Sequence, residues 1–183
     1  MKTPQLTSLK KRIVHPARTT IAAVLSLLAA RVVGLPEVYW APISTMIVMQ
    51  STLGAALTIS WHRWVGTALG SAAGALLVTC LGPSLIAFGV GVFGTGLLCA
   101  ALRLDRPAYR FAGITLTVIM LVAHTEPVWV MAIHRFAEVS LGIAVGVIVT
   151  VLWPEQQPRH AHIHDQEHPT KQPNEQRGQP GKL

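Results

Sequence analysis

Between residues 17 and 153 the chain is a succession of apolar runs of roughly 18 residues, each parted from the next by a few residues carrying Pro, Arg, His or Trp. A run of that length, wound as a helix, crosses the roughly 30 Å of hydrocarbon in a bilayer. Lipid offers no water to bare backbone amides, so such runs must satisfy their own hydrogen bonds, and helices do so within one segment. Charge agrees with this picture. Only 13% of the residues are charged against 51% hydrophobic, and the charges gather at the N-terminus, in short clusters and in the tail. A soluble domain spreads its charge over its whole surface.

Six spans follow from the pattern, over 17–33, 39–58, 63–81, 84–102, 109–124 and 131–153. Gly34 and Pro36 end the first, Gly82-Pro83 turns the third into the fourth, Pro107 breaks after the fourth, and Pro127 parts the last two. Trp40, Trp61, Trp64, Trp129 and Trp153 all fall at expected span ends, where an amphipathic ring anchors best at the interface. With the N-terminus inside, the inner loops hold Lys2, Lys10, Lys11, Arg12, Arg18, Arg63, Arg103, Arg106 and Arg110, and the outer side holds only Arg31 and Arg135. Nine against two predicts both termini in the cytoplasm. The expected organisation is a basic cytoplasmic N-terminus (1–16), a six-helix membrane domain (17–153) and a polar, His-rich, disordered cytoplasmic tail (154–183).

The same reading narrows the function classes. Basic residues before the first span resemble a signal peptide, but no small-residue cleavage site precedes a soluble body, so the run is read as the first span. A formal charge of +7 would suggest nucleic acid in a soluble protein; here topology explains most of the basic residues, and no nucleic-acid partner is expected. Cys80 and Cys99 belong at different membrane depths, which argues against a disulfide or a metal site. His160, His162, His164 and His168 in the tail lack a cysteine or carboxylate framework, so a solubilising tail is the simpler reading over a weak metal site. No Gly-x-Ser-x-Gly elbow, phosphate-binding loop or His-Glu-x-x-His motif occurs, so neither an enzyme nor a cofactor is expected. Gly89, Gly91, Gly94 and Gly96 make the fourth helix thin and suited to close packing.

Offsetting the sequence by 72 residues lays His62-Arg63 on His134-Arg135, Leu69-Gly70 on Leu141-Gly142, Ala72 on Ala144 and Gly74 on Gly146; Arg31 meets Arg103, Thr45 meets Thr117 and Ile47 meets Ile119. A repeat of three helices enters the membrane upside down the second time, giving a three-plus-three inverted repeat with the substrate route where the halves meet. Gly66, Gly70 and Gly74 on the third helix, and Gly142 and Gly146 on the sixth, form smooth stripes for helix packing. The candidates for a substrate path are Arg31, Arg63, His134, Arg135 and Glu138. His134, Arg135 and Glu138 share one side of a helical turn. Two readings stay open: Arg135 and Glu138 form an ion pair that eases insertion, or they line an outer vestibule for an anion, with Glu138 orienting it or exchanging a proton. Arg31 has the simpler alternative of snorkelling to the outer headgroups.

The segment Gly34-Leu35-Pro36-Glu37-Val38-Tyr39-Trp40-Ala41-Pro42-Ile43, running on through Met49-Gln50-Ser51-Thr52-Leu53-Gly54-Ala55, resembles the second-helix signature of the fusaric acid resistance and aromatic acid exporter family. His62-Arg63 with Gly66-Thr67 and Gly70, and His134-Arg135-Phe136 with Glu138 and Gly142, are similar to that family's third and sixth helices. The resemblance implies a six-helix module of an exporter, a module that in longer members occurs twice beside a cytoplasmic domain. Characterised relatives are linked to efflux of aromatic carboxylic acids, and the related plant malate channels are dimers of six-helix subunits. The chain departs from the long pattern in having one module and a short polar tail, a departure that a homodimer would make good.

The expectation is a homodimeric inner-membrane transporter that exports small organic anions such as aromatic acids, with the lipid bilayer as its surroundings. A passive anion channel of the same fold and a non-transporting scaffold whose tail docks a partner are the alternatives.

Overall fold

The computed structural model describes residues 4–49, 52–122 and 126–153, with side chains from residue 13 onward. The tail from Pro154, with its four histidines, lies outside the described residues. Every regular element among those described is a helix: α1 (Pro4–Val33), α2 (Trp40–Val48), α3 (Leu53–Leu81), α4 (Leu85–Ala101), α5 (Arg106–Leu121) and α6 (Val128–Leu152). Three of them carry stretches long and apolar enough to cross a membrane, namely Ile13–Val33, Leu53–Leu81 and Val128–Leu152. The helix over Leu85–Ala101 is apolar and shorter.

The second helix departs most from the sequence pattern. An apolar run over 39–58 reads as one span, yet α2 stops at Val48 and α3 begins at Leu53. The Thr52 hydroxyl accepts the N–H of Ala55 at 3.2 Å and so satisfies a donor that a new helix end leaves bare. Nine residues make α2 about 14 Å long, too short to cross alone, whereas the 29 residues of α3 run about 43 Å. Thr58 therefore belongs to α3, and Trp61 and Trp64 lie within α3 rather than at its start. Twenty residues counted back from Leu81, about one bilayer's worth, begin at His62. The other ends differ by less: α1 starts at Pro4 rather than near Ala17, α5 at Arg106 rather than Tyr109, and α6 at Val128 rather than Met131.

Direction follows from which residues touch. Along α3 and α5 the numbers rise together, from Gly66 beside Ala108 to Gly74 beside Ile119, so these two helices are parallel. Along α6 and α2 they also rise together, from Gly142 beside Ala41 to Gly146 beside Val48. By contrast α6 runs against α3, since Trp64 bonds Ser140 while Ala75 packs with Ala132. It runs against α1 as well, since Arg18 Nη1 donates to the carbonyl of Trp153 at 2.7 Å while Glu37, just past the end of α1, meets Arg135 near the start of α6. Helix α4 returns along α5, with Gly96 beside Tyr109 and Gly91 beside Leu116. Successive helices thus alternate in direction.

The interior is built from small and hydroxylated side chains. Ala22, Ala30, Ala41, Ala56, Ala75, Ala108, Ala112, Ser26, Ser44, Thr45 and Thr67 are buried, while Val32 (87% exposed), Leu85 (84%) and Ile86 (81%) point outward. A soluble protein arranges these classes the other way round, and packing of small residues is what holds helices together once lipid has removed the hydrophobic drive between them. Several buried hydroxyls find partners within their own helix: Ser60, Thr95 and Thr150 each donate to the carbonyl four residues back. On α4 only part of the small-residue pattern is packed. Gly91 and Gly96 meet neighbours, but a side chain at Gly89 or Gly94 would meet nothing within 4 Å, so the fourth helix is not closely packed all round.

Candidate functional site

Helices α3 and α6 carry the glycines, and each glycine face receives the middle helix of the other half of the chain. A Cβ at Gly70 would stand 2.9 Å from the Cβ of Thr115 and closer still to the carbonyl of Ala112. At Gly142 a Cβ would stand 2.7 Å from the Cβ of Ser44 and closer still to the carbonyl of Ala41. Only glycine lets the backbones approach this far. Thr45 then bonds across the second seam, donating to the carbonyl of Gly142 at 2.8 Å.

Each seam also carries a guanidinium stacked on a ring. Arg63 lies over Phe111, 5.0 Å from its centroid, and Arg135 lies over Trp40 at 4.0 Å. Both arginines are buried, Arg63 to 4% and Arg135 to 2% exposure, which far exceeds what a snorkelling charge would show. Arg63 Nη2 donates to Ser44 Oγ at 3.0 Å, and the Ser44 hydroxyl donates to the carbonyl of Trp40 at 2.8 Å. Arg63 thereby reaches from α3 into the seam between α2 and α6.

Arg135 has acidic company. Its Nη2 bonds Glu37 Oε2 at 2.7 Å, and its Nη1 stands 4.0 Å from Glu138 Oε2. Glu138 is 1% exposed, and its Oε1 accepts the backbone N–H of Glu37 at 2.9 Å. Among the described residues, Nε and Nη1 of Arg135, Nε of Arg63 and Oε2 of Glu138 have no hydrogen-bond partner. A guanidinium offers five donors, so Arg135 keeps buried donors aimed at nothing, in surroundings where charge-assisted bonds are strong.

Next to Arg63 on α3, His62 Nε2 meets Asp105 Oδ2 at 2.9 Å. The pair lines a groove of about 740 Å3 with Ala55, Thr58, Ile59, Arg106 and Pro107.

Of the residues singled out from sequence, Arg63, Arg135 and Glu138 are brought to one region. His134 is half-buried beside Arg135 on the chain, and Arg31 is exposed at the end of α1, away from the cluster. All five stripe glycines, Gly66, Gly70, Gly74, Gly142 and Gly146, make close interhelix contacts. Trp61, Trp64, Trp129 and Trp153 are exposed; Trp40 instead turns inward onto Arg135. The sequence reading passed over Glu37, Ser44, Phe111 and the His62–Asp105 pair as functional residues. Glu37 did carry a signal, being an acid between two apolar runs.

The fusaric acid resistance protein-like family matches residues 22–149. The chain is 29% identical over 148 residues to the inner membrane protein YeeA of Escherichia coli (strain K12), covering 79% of this chain and 42% of that protein. It is 30% identical over 149 residues to the uncharacterized transporter YdhK of the same strain, covering 76% of this chain and 22% of that protein. The Salmonella typhimurium YdhK transporter is 29% identical over 149 residues, with the same coverage of 76% and 22%. The chain thus spans less than half the length of these curated relatives. No solved structure matches it. All-helical, inside-out in its packing and matched from Ala22 to Val149, the chain belongs to the fusaric acid resistance protein-like family.

Proposed function

We infer that the chain is a transporter of small organic anions across the inner membrane, with Arg135 as the group that receives the anion. The buried Arg135 guanidinium carries this reading, since two of its donors have no partner among the described residues while a ring covers its face. An aromatic carboxylate suits such a place, because its charge meets the spare donors and its ring can lie against Trp40. The transporter relatives support the general class. The groove at His62 and Asp105 is the inner approach, and Arg63, the next residue along α3, is the second positive charge on the route.

An inverted repeat organises this route, with six helices alternating in direction and both termini in the cytoplasm. Its support is a residue-by-residue likeness of the two seams. Gly70 against Ala112 and Thr115 corresponds to Gly142 against Ala41 and Ser44, and Gly74 against Ile119 corresponds to Gly146 against Val48. Arg63 over Phe111 corresponds to Arg135 over Trp40. The third helices of the two halves are thus 72 residues apart, but the middle helices are 71 apart, so the Thr45–Thr117 and Ile47–Ile119 correspondences shift by one residue. Two copies of the chain would supply the double module of longer relatives.

Efflux of preloaded 4-hydroxybenzoate from cells expressing the chain tests the reading. Wild type raises the initial rate several-fold over empty vector, and Arg135→Ala at equal membrane abundance returns it to the vector rate. Equal efflux with and without the chain contradicts transport. A steady anion current across a planar bilayer with no other gradient imposed would assign the passive channel instead.

A further inference from the structure

The two seams differ at one level. Where the first has Gly66 packed on Ala108, the second, by the same correspondence, has Glu138 bonded to the backbone of Glu37. Small residues close one seam, and two carboxylates stand at the same level of the other. Packing therefore does not require an acid at this level, and the presence of Glu138 calls for another reason.

Its surroundings supply one. Glu138 is 1% exposed, and its Oε2 has no hydrogen-bond partner among the described residues. The titratable and charged groups facing it are Glu37 and the phenol of Tyr39 from the turn before α2, Arg135 from its own helix, and Arg63, which comes from α3 to Ser44 about one turn deeper in the seam. His134 adjoins Arg135 on the chain, and Arg31 at the end of α1 is exposed. Around Arg135 itself there are thus two carboxylates for one guanidinium. With both ionised, Glu37 and Glu138 offset Arg135 and Arg63, and an incoming anion meets no net attraction; with Glu138 neutral, the two guanidiniums outweigh Glu37 and the anion is attracted.

We propose that Glu138 is the protonation site linked to anion binding at Arg135, taking up a proton when the anion arrives and releasing it when the anion leaves. The inference rests on the reading of Arg135 as the anion site. Linkage is reciprocal, so protons must strengthen anion binding by the same factor as the anion strengthens protonation. The balance is simple: the anion adds one negative charge, the proton on Oε2 adds one positive, and the cluster's net charge is unchanged.

Calorimetric titration of the full chain in detergent micelles with benzenesulfonate tests this, because that aromatic anion stays ionised throughout the working pH range. Repeating each titration in two buffers of different ionisation heat counts the protons taken up. Wild type is expected to bind more tightly as pH falls, by up to about tenfold per pH unit where Glu138 titrates, with uptake approaching one proton per anion. Glu138→Gln should bind without pH dependence and without proton uptake, while Glu37→Gln should still take up a proton. Wild-type binding of constant affinity with no proton count overturns the linkage and leaves the anion site standing, and needs no variant to fold. Proton uptake that survives in Glu138→Gln also overturns it. Absence of benzenesulfonate binding at every pH removes the anion site and the linkage together.

Discussion

The α3–α5 seam and the α2–α6 seam share a packing frame and differ in charge. In both, glycines one turn apart receive the backbone of a parallel helix, and an arginine stacks on a ring above them. The first seam closes with Gly66 on Ala108; the second holds Glu37, Arg135 and Glu138 in the same place. The frame is what a membrane protein needs to hold helices without a hydrophobic drive between them. Each seam buries an arginine, but only the second adds carboxylates at that level, an extra cost in free energy that packing does not call for.

The largest effect expected from breaking the comparison is at Arg135. Arg135→Ala leaves Glu138 buried and Glu37 without its ion pair, at a cost of about 3–5 kcal/mol in chemical denaturation of the solubilised protein. Next come the glycines. Gly70→Ala and Gly142→Ala each force a methyl onto a facing carbonyl and should each lower stability by about 1–3 kcal/mol, alike because the two seams are alike. Gly89→Ala and Gly113→Ala, which face open space, should be neutral or stabilising by up to about 1 kcal/mol, as helix propensity alone dictates. A large loss at one stripe and none at the other would show that the seams do not share a frame.

Smaller effects sharpen the difference. Trp40→Leu removes the ring over a buried guanidinium and should lower stability by about 2 kcal/mol through that contact, read as a fall in melting temperature. Asp105 is 76% exposed, so His62→Gln should cost at most about 1 kcal/mol in the same melting assay.

How much of this was legible in the sequence depended on whether a feature is local. Spacing along one helix displays the glycine stripes and places Arg135 beside Glu138, so those were readable. The partner of each stripe was not, because nothing in Gly142 says that Ala41 rather than another alanine will face it. The end of α2 was legible but passed over: Gln50-Ser51-Thr52 interrupts the apolar run, and the Thr52 hydroxyl caps the start of α3 there. Trp40 followed the interfacial rule by position and broke it by contact, since a buried cation gives an indole face a stronger partner than the headgroup region does. Glu37 was quoted only as part of a motif, because its role depends on a helix about 100 residues away.

The central claim is that the α2–α6 seam is the α3–α5 frame with two carboxylates added beside its arginine, and that these carboxylates do the work. Rewriting the second seam in the residues of the first, as Glu37→Ala with Glu138→Gly, and measuring the initial efflux of 4-hydroxybenzoate tests it directly. The account predicts a chain that still inserts in the membrane, with efflux reduced at least tenfold toward the vector rate. Efflux at the wild-type rate from the rewritten chain would contradict it.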